Sequence, residues 1–146
     1  MLSLQSAPQG ANNNRAWTVL VADDEHHIRA IVVAKLRAAG YTVLEARDGE
    51  EALDLARQTP PDIVVTDLQM PCMSGLELCL HLKADPATSR TPVLMLTARG
   101  HILDAGVLTQ TNIRETMAKP FGARELLRRI EALLAGAGDC SVREAA

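Results

Sequence analysis

The chain has 146 residues, which suits one domain with its own core and is too short for a comfortable pair. Hydrophobic residues make up 47% and charged residues 23%, as in an ordinary soluble protein, and the net charge of -3 argues against a general nucleic-acid binder, which needs a basic face. Three Cys (Cys72, Cys79, Cys140) without paired spacing argue against a disulfide framework or a zinc module and fit a reducing cytosol, and no apolar run approaches the roughly 18 residues of a membrane span.

Residues 1–16 are polar, rich in Asn, Gln, Ser and Gly, and lack both periodicity and the apolar core of a signal peptide, so a disordered tail is expected there. Residues 18–22 form an apolar run that ends in two aspartates. Ile28, Ile31, Val32, Leu36 and Ala39 then recur at helical spacing, and Gly40 supplies a helix stop. A strand is expected over 41–46. Asp48 with Glu51 reads as a capping box for a helix that Pro60 and Pro61 end. Residues 63–67 are the clearest strand. Ser74 with Glu77 reads as a second capping box, for a helix through Leu78, Leu82 and Lys83 that breaks at Asp85 and Pro86. Another apolar run covers 92–96. Gly100, Gly106 and several Thr weaken helix propensity from 99 to 114, leaving a short helix after Asp104. A last strand is expected at 115–119 and a closing amphipathic helix at 123–134, with a domain over 17–135 and a flexible tail over 136–146.

Strands alternating with helices imply βαβ units and a parallel sheet. The strands are continuously apolar, as when helices cover both faces. With right-handed crossovers, the expected architecture is α/β and doubly wound, five parallel strands in the order 2-1-3-4-5.

In such sheets ligands bind beyond the carboxyl ends of the strands, at the switch point between strands one and three. Asp23 and Asp24 follow strand one, Asp67 ends strand three, Thr97 follows strand four and Lys119 ends strand five. Clustered carboxylates raise one another's pKa values, and a hard divalent cation such as Mg2+ relieves that conflict. A Lys and a Thr hydroxyl beside them suit phosphoryl oxygens, so the set reads as a site for receiving phosphate on a carboxylate. Lys119 precedes Pro120, and a peptide bond before Pro can be cis.

The chain resembles the receiver domains of two-component response regulators, of the stand-alone type. The resemblance rests on Asp23 and Asp24 after strand one, the run DLQMPCMSG over 67–75, Thr97 with Ala98, and Lys119 with Pro120 and Phe121, in order and at family spacing from about Trp17 to Leu134. It implies a flavodoxin-like fold in which Asp67 accepts phosphate from the phosphohistidine of a sensor histidine kinase or phosphotransfer protein. It further implies that Asp24 and Asp67 bind Mg2+ directly, with Asp23 acting through water and the Gln69 backbone carbonyl as a further ligand. Thr97 and Lys119 would hold phosphoryl oxygens.

Two departures bear on switching. Many receivers carry an aromatic ring three residues before the Lys, where this chain has Thr116, and the turn before strand five reads Thr111, Asn112, Ile113. The response to phosphorylation is therefore expected mainly over 99–112. Gln69 and Arg99 would flank the path of a hydrolytic water. Arg99 is expected to shield the phosphoryl group and prolong its lifetime.

The expected role is a phosphorylation-controlled cytoplasmic switch, not an enzyme, acting as a monomer or weak dimer through a downstream protein or a phosphorelay, with no direct nucleic-acid or membrane contact. About a dozen residues follow the last helix, so no output domain is expected in this chain. A magnesium phosphatase with an aspartyl nucleophile is the alternative, but it requires a second acid where Gln69 stands. His26 and His27 point about 100° apart on a helix and read as surface or helix-start residues, not a metal pair. Trp17 is expected to pack at the start of strand one, and Cys72 to be an inert small residue.

Overall fold

The computed structural model describes residues 16–98 and 102–138. Five strands, β1 (Thr18–Ala22), β2 (Thr42–Ala46), β3 (Ile63–Asp67), β4 (Val93–Thr97) and β5 (Ile113–Ala118), alternate with five helices, α1 (His26–Ala38), α2 (Gly49–Gln58), α3 (Gly75–Ala84), α4 (Ala105–Gln110) and α5 (Ala123–Gly138). All strand pairs are parallel, in the order β2-β1-β3-β4-β5. This is the doubly wound sheet expected from the alternating pattern.

Every residue of β3 and β4 is buried, which accounts for their unbroken apolar runs. Successive strand side chains point to opposite faces. Val19, Val21, Ile63, Val65, Leu94 and Leu96 therefore join Val32, Val33 and Leu36 of α1 and Leu126, Ile130 and Leu134 of α5 in one core. Leu20, Val64, Val93 and Met95 join Ala52, Leu53 and Ala56 of α2 and Leu78, Cys79 and Leu82 of α3 in the other. Trp17 packs against the first core, at the mouth of β1.

The helix caps differ in completeness. Ser74 caps α3 in a full box: its Oγ accepts from the Glu77 N–H at 3.1 Å, and Glu77 accepts from the Ser74 N–H at 2.9 Å. At α2 only half of the expected box forms. Asp48 accepts from the Glu51 N–H at 2.9 Å, but the Glu51 carboxylate reaches one residue further back, to the Arg47 N–H at 2.7 Å.

One buried stripe and two element boundaries depart from expectation by more than a residue. The buried stripe of α1 is Arg29, Val32, Val33 and Leu36, so Ile31 lies 50% exposed and Ala39 faces solvent. β5 begins at Ile113, two residues before the expected start, because Thr111 and Asn112 are buried and hydrogen-bonded instead of forming a solvated turn. Thr111 Oγ1 donates to the Val107 carbonyl at 2.9 Å, and the Asn112 side-chain amide donates to the Ser89 carbonyl. Val93 then pairs with Ile113 but Leu94 with Glu115, so Arg114 is an extra residue in a bulge. Finally, α5 runs through Gly138; Gly136 to Gly138, expected within a flexible tail, are helical. Ala137, a strong helix former, lies between the two glycines. The remaining tail residues lie outside the described residues.

Candidate functional site

The carboxyl ends of β1 and β3 meet where the sheet's winding reverses, the place at which open α/β sheets bind ligands, and the Lys119 side chain reaches it from beyond the end of β5. Three features hold Asp67 there. It is the last residue of β3, and the next amide, of Leu68, donates to the Leu96 carbonyl of β4 at 2.9 Å. The chain then loops back so that the Gly75 N–H donates to the Leu68 carbonyl at 2.8 Å. A Cβ on Gly75 would collide with the Asp67 carbonyl oxygen, so this approach requires glycine. The intervening loop contains Cys72, exposed and with φ of 70°, in the left-handed region that side chains other than Gly seldom adopt.

Asp23 lies just past β1, with its amide donating to the Ala46 carbonyl of β2 at 3.2 Å. Its carboxylate is 1% exposed and is held on both oxygens: Oδ1 accepts from the Glu25 N–H at 2.9 Å and Oδ2 lies 3.2 Å from Lys119 Nζ. Arg29 braces the same turn from α1, donating to the Asp23 carbonyl at 2.8 Å and to Glu45 Oε1 at 3.2 Å. Lys119 follows β5. Its amide donates to the Thr97 carbonyl at 2.8 Å, and the bond to Pro120 is cis. The ammonium group reaches Glu25 Oε1 at 2.9 Å, Asp23 Oδ2 at 3.2 Å and Asp67 Oδ1 at 3.4 Å.

A cavity of about 340 Å³ opens above these groups, lined by Asp24, Glu25, Asp67, Leu68, Gln69, Ala98 and Lys119. Of the residues singled out in the sequence, Asp23, Asp67 and Lys119 therefore form one ion-paired cluster, while Asp24 and Gln69 are exposed along the cavity wall. Thr97 is 3% exposed at the end of β4, with its hydroxyl directed at the Met117 carbonyl, 3.5 Å away, and it does not line the cavity. Arg99 lies outside the described residues. His26 and His27 are exposed, and His26 Nδ1 sits 3.2 Å from a guanidinium nitrogen of Arg29.

Glu25 is the site residue that sequence reasoning passed over. The acidic run 23–25 was the available signal, but the partner of Glu25 lies 94 positions away.

Burial pushes the Asp67 carboxyl up from 3.8 to about 6. The Asp23 charge adds to this, and Lys119 only partly offsets it. Burial pulls the Lys119 ammonium down, but its hydrogen bond to Glu25 and the charges of Asp23 and Asp67 outweigh that and raise its pKa. Ligand oxygens of Asp23, Glu25 and Asp67 all lie within 4.8 Å of one another, and Asp24 adds a fourth carboxylate at the cavity wall. An all-oxygen set with excess negative charge and open cavity space matches what a hard divalent cation requires. Cys79, by contrast, is an inert core residue whose thiol burial pushes up to about 12.

Residues 19–131 match the family model for the response regulator receiver domain. The chain is 40% identical over 116 residues to the probable transcriptional regulator ycf27 of Guillardia theta, covering 80% of this chain and 44% of that protein. It is 37% identical, again over 116 residues, to the alkaline phosphatase synthesis transcriptional regulatory protein PhoP of Bacillus subtilis, covering 80% and 48%. The chain thus spans about half the length of the curated relatives it matches. Among solved structures, a putative response regulator from Chloroflexus aurantiacus superimposes with a TM-score of 0.76 at 35% identity, covering 83% of this chain and 99% of that one. The chemotaxis response regulator CheY4 of Vibrio cholerae does so at 0.75 and 31%, covering 81% and 98%. With the fold, the site at its switch point and these matches in agreement, the chain belongs to the response regulator receiver domain family.

Proposed function

We propose that this receiver is a phosphorylation-controlled switch in which Asp67 accepts a phosphoryl group from the phosphohistidine of a sensor kinase or phosphotransfer protein. The observation that carries the reading is the placement of Lys119 Nζ 3.4 Å from Asp67 Oδ1 and 3.2 Å from Asp23 Oδ2, at the mouth of the cavity. An Asp67 oxygen attacks phosphorus and forms the new P–O bond as the P–N bond to the donor imidazole breaks, and the leaving nitrogen keeps the bond's electron pair. Lys119 lies where it can donate to a phosphoryl oxygen in transit. The Thr97 hydroxyl reaches another by turning from the Met117 carbonyl. Mg2+, when bound, supplies charge neutralisation between acceptor and donor. Asp24 and Asp67 are the proposed direct ligands, with Asp23 acting through water and the Gln69 carbonyl as a further ligand.

The receiver fold supports a regulatory role, not an enzymatic one. No helix among the described residues is long and apolar enough to cross a membrane. In our reading the switch works in the cytoplasm, as a monomer or weak dimer. It delivers its signal through a downstream protein or by passing phosphate onward.

Mass spectrometry after treatment with acetyl phosphate and Mg2+ tests the acceptor. One phosphoryl group on Asp67 is expected, lost in Asp67→Asn and reduced in Asp24→Ala together with Mg2+ affinity. Labelling of Asp67→Asn at the wild-type level would overturn the assignment.

A further inference from the structure

We propose that Glu25 is a positioning residue for phosphoryl transfer: with Asp23 it clamps two of the three N–H donors of Lys119, and so aims the third at the acceptor. The inference rests on the reading of Asp67 as that acceptor.

An ammonium group has three donors and no more. Here the ammonium donates to Glu25 at 2.9 Å and to Asp23 at 3.2 Å, and a third carboxylate, Asp67, lies at ion-pair distance, 3.4 Å. The loosest contact is the one to the acceptor. It is therefore the donor most easily passed to a phosphoryl oxygen when Asp67 forms its new bond, while the two closer contacts hold the nitrogen in place. Lysine carries four rotatable carbons and strays without such anchors. Pre-aimed donors contribute to transition-state stabilisation because they need not reorganise during reaction.

Glu25 also forgoes a local role to do this. It occupies the N-cap position of α1 in extended conformation, yet its side chain makes no capping bond. Its carboxylate leaves the helix end and crosses to β5 instead. Asp23 cannot replace it, because the other oxygen of Asp23 is already engaged by the Glu25 amide.

The test compares phosphorylation by acetyl phosphate in Glu25→Ala, Glu25→Asp and Glu25→Gln. The first two lose the reach to Lys119, and each slows labelling about two- to fivefold, the range for a partly exposed ion pair. Glu25→Gln keeps the length and an acceptor oxygen, and labels faster than either. Labelling is measured at saturating Mg2+, set for each variant by calorimetry, so that a change in metal affinity does not enter the rate. Glu25→Asp is a good N-cap residue and melts no lower than wild type while labelling more slowly, which separates positioning from stability. Labelling of Glu25→Ala or Glu25→Asp at or above the wild-type rate overturns the proposal. So does a labelling defect that saturating Mg2+ restores to the wild-type rate, which would make Glu25 a metal ligand. Absent labelling of wild type, or labelling that survives in Asp67→Asn, instead overturns the acceptor reading.

Discussion

Asp67 carries a cost that folding imposes. Its carboxyl titrates near 3.8 in a free chain and at about 6 in the fold, mainly because it is buried and faces Asp23. Well below pH 3.8 both states are protonated and the site costs nothing. As pH rises toward 6 the unfolded chain ionises first, so stability falls, and above the folded value the penalty is complete. Asp67→Asn has no such titration. Its stability relative to wild type rises between pH 4 and 6 and levels off above, by about 1–2 kcal/mol once the shift is discounted for partial solvent access. Urea unfolding across that pH range checks this, and parallel curves for the two proteins would refute it. A second local cost sits five residues on. Cys72 holds a left-handed backbone that costs an L residue roughly 1–2 kcal/mol, partly recovered by Gly after its own entropy loss. Cys72→Gly should therefore raise the urea midpoint, by an amount equivalent to roughly 0.5–1 kcal/mol of unfolding free energy. A lowered midpoint would show that the Cys side chain contributes more than its backbone costs.

At the scale of elements, the β3–α3 connection holds Asp67, the proposed acceptor. Its geometry depends on the Ser74 capping box and on the tight approach of Gly75 to the Asp67 carbonyl. Ser74→Ala removes one bond of the box and costs about 1 kcal/mol without displacing Asp67. Gly75→Ala forces a methyl group against that carbonyl, so it lowers both stability and the rate of acetyl phosphate labelling. Melting curves beside labelling rates distinguish the two variants; a Gly75→Ala protein that labels normally would show that the loop relaxes without moving the acceptor. The Ser74–Glu77 box and the 63–67 strand were legible because local spacing and side-chain period decide them. The half-formed box at Asp48, the early start of β5 and the role of Glu25 were not. Glu51 chose the Arg47 amide over the adjacent one, Asn112 is buried only because Ser89 and Thr88 supply carbonyls from another loop, and Glu25 finds its partner across the sheet. Each outcome depends on contacts between segments distant along the chain or on a choice between neighbouring donors, which period and propensity do not encode. The candidate site was legible for a related reason: the ends of apolar strands mark where polar residues converge, whatever the details of the loops.

For the whole molecule, the question is where a phosphoryl group on Asp67 is felt. In the proposed function it adds roughly -1.5 to -2 charge beside Lys119, and the Thr97 hydroxyl is its proposed donor. Thr116 is exposed, and its carbonyl accepts from Arg129 at 3.4 Å, so no large ring stands there to swing between buried and exposed positions. The six-residue α4 downstream of Thr97 has no buried residue and is held at its start by Asp104, which accepts from the Gly106 N–H at 3.2 Å. Sparse burial marks a segment that opens at low free energy. Hydrogen exchange with and without beryllofluoride is expected to change most over 102–112. Changes confined to 67–75 would exclude this route.

The sheet that builds the site also acts as an insulator. Its two cores lie on opposite faces; α1 packs with α5 on one side and α2 with α3 on the other. A side chain repacked beneath α5 has no direct neighbour beneath α3, because five hydrogen-bonded backbones lie between them. Traffic from one face to the other must therefore go around the rim. At the carboxyl rim it meets Asp23, Asp67 and Lys119, whose ion pairs tie together the ends of three strands. A modification at that rim can address both faces at once, whereas a partner bound to either face senses the other through these few charged side chains.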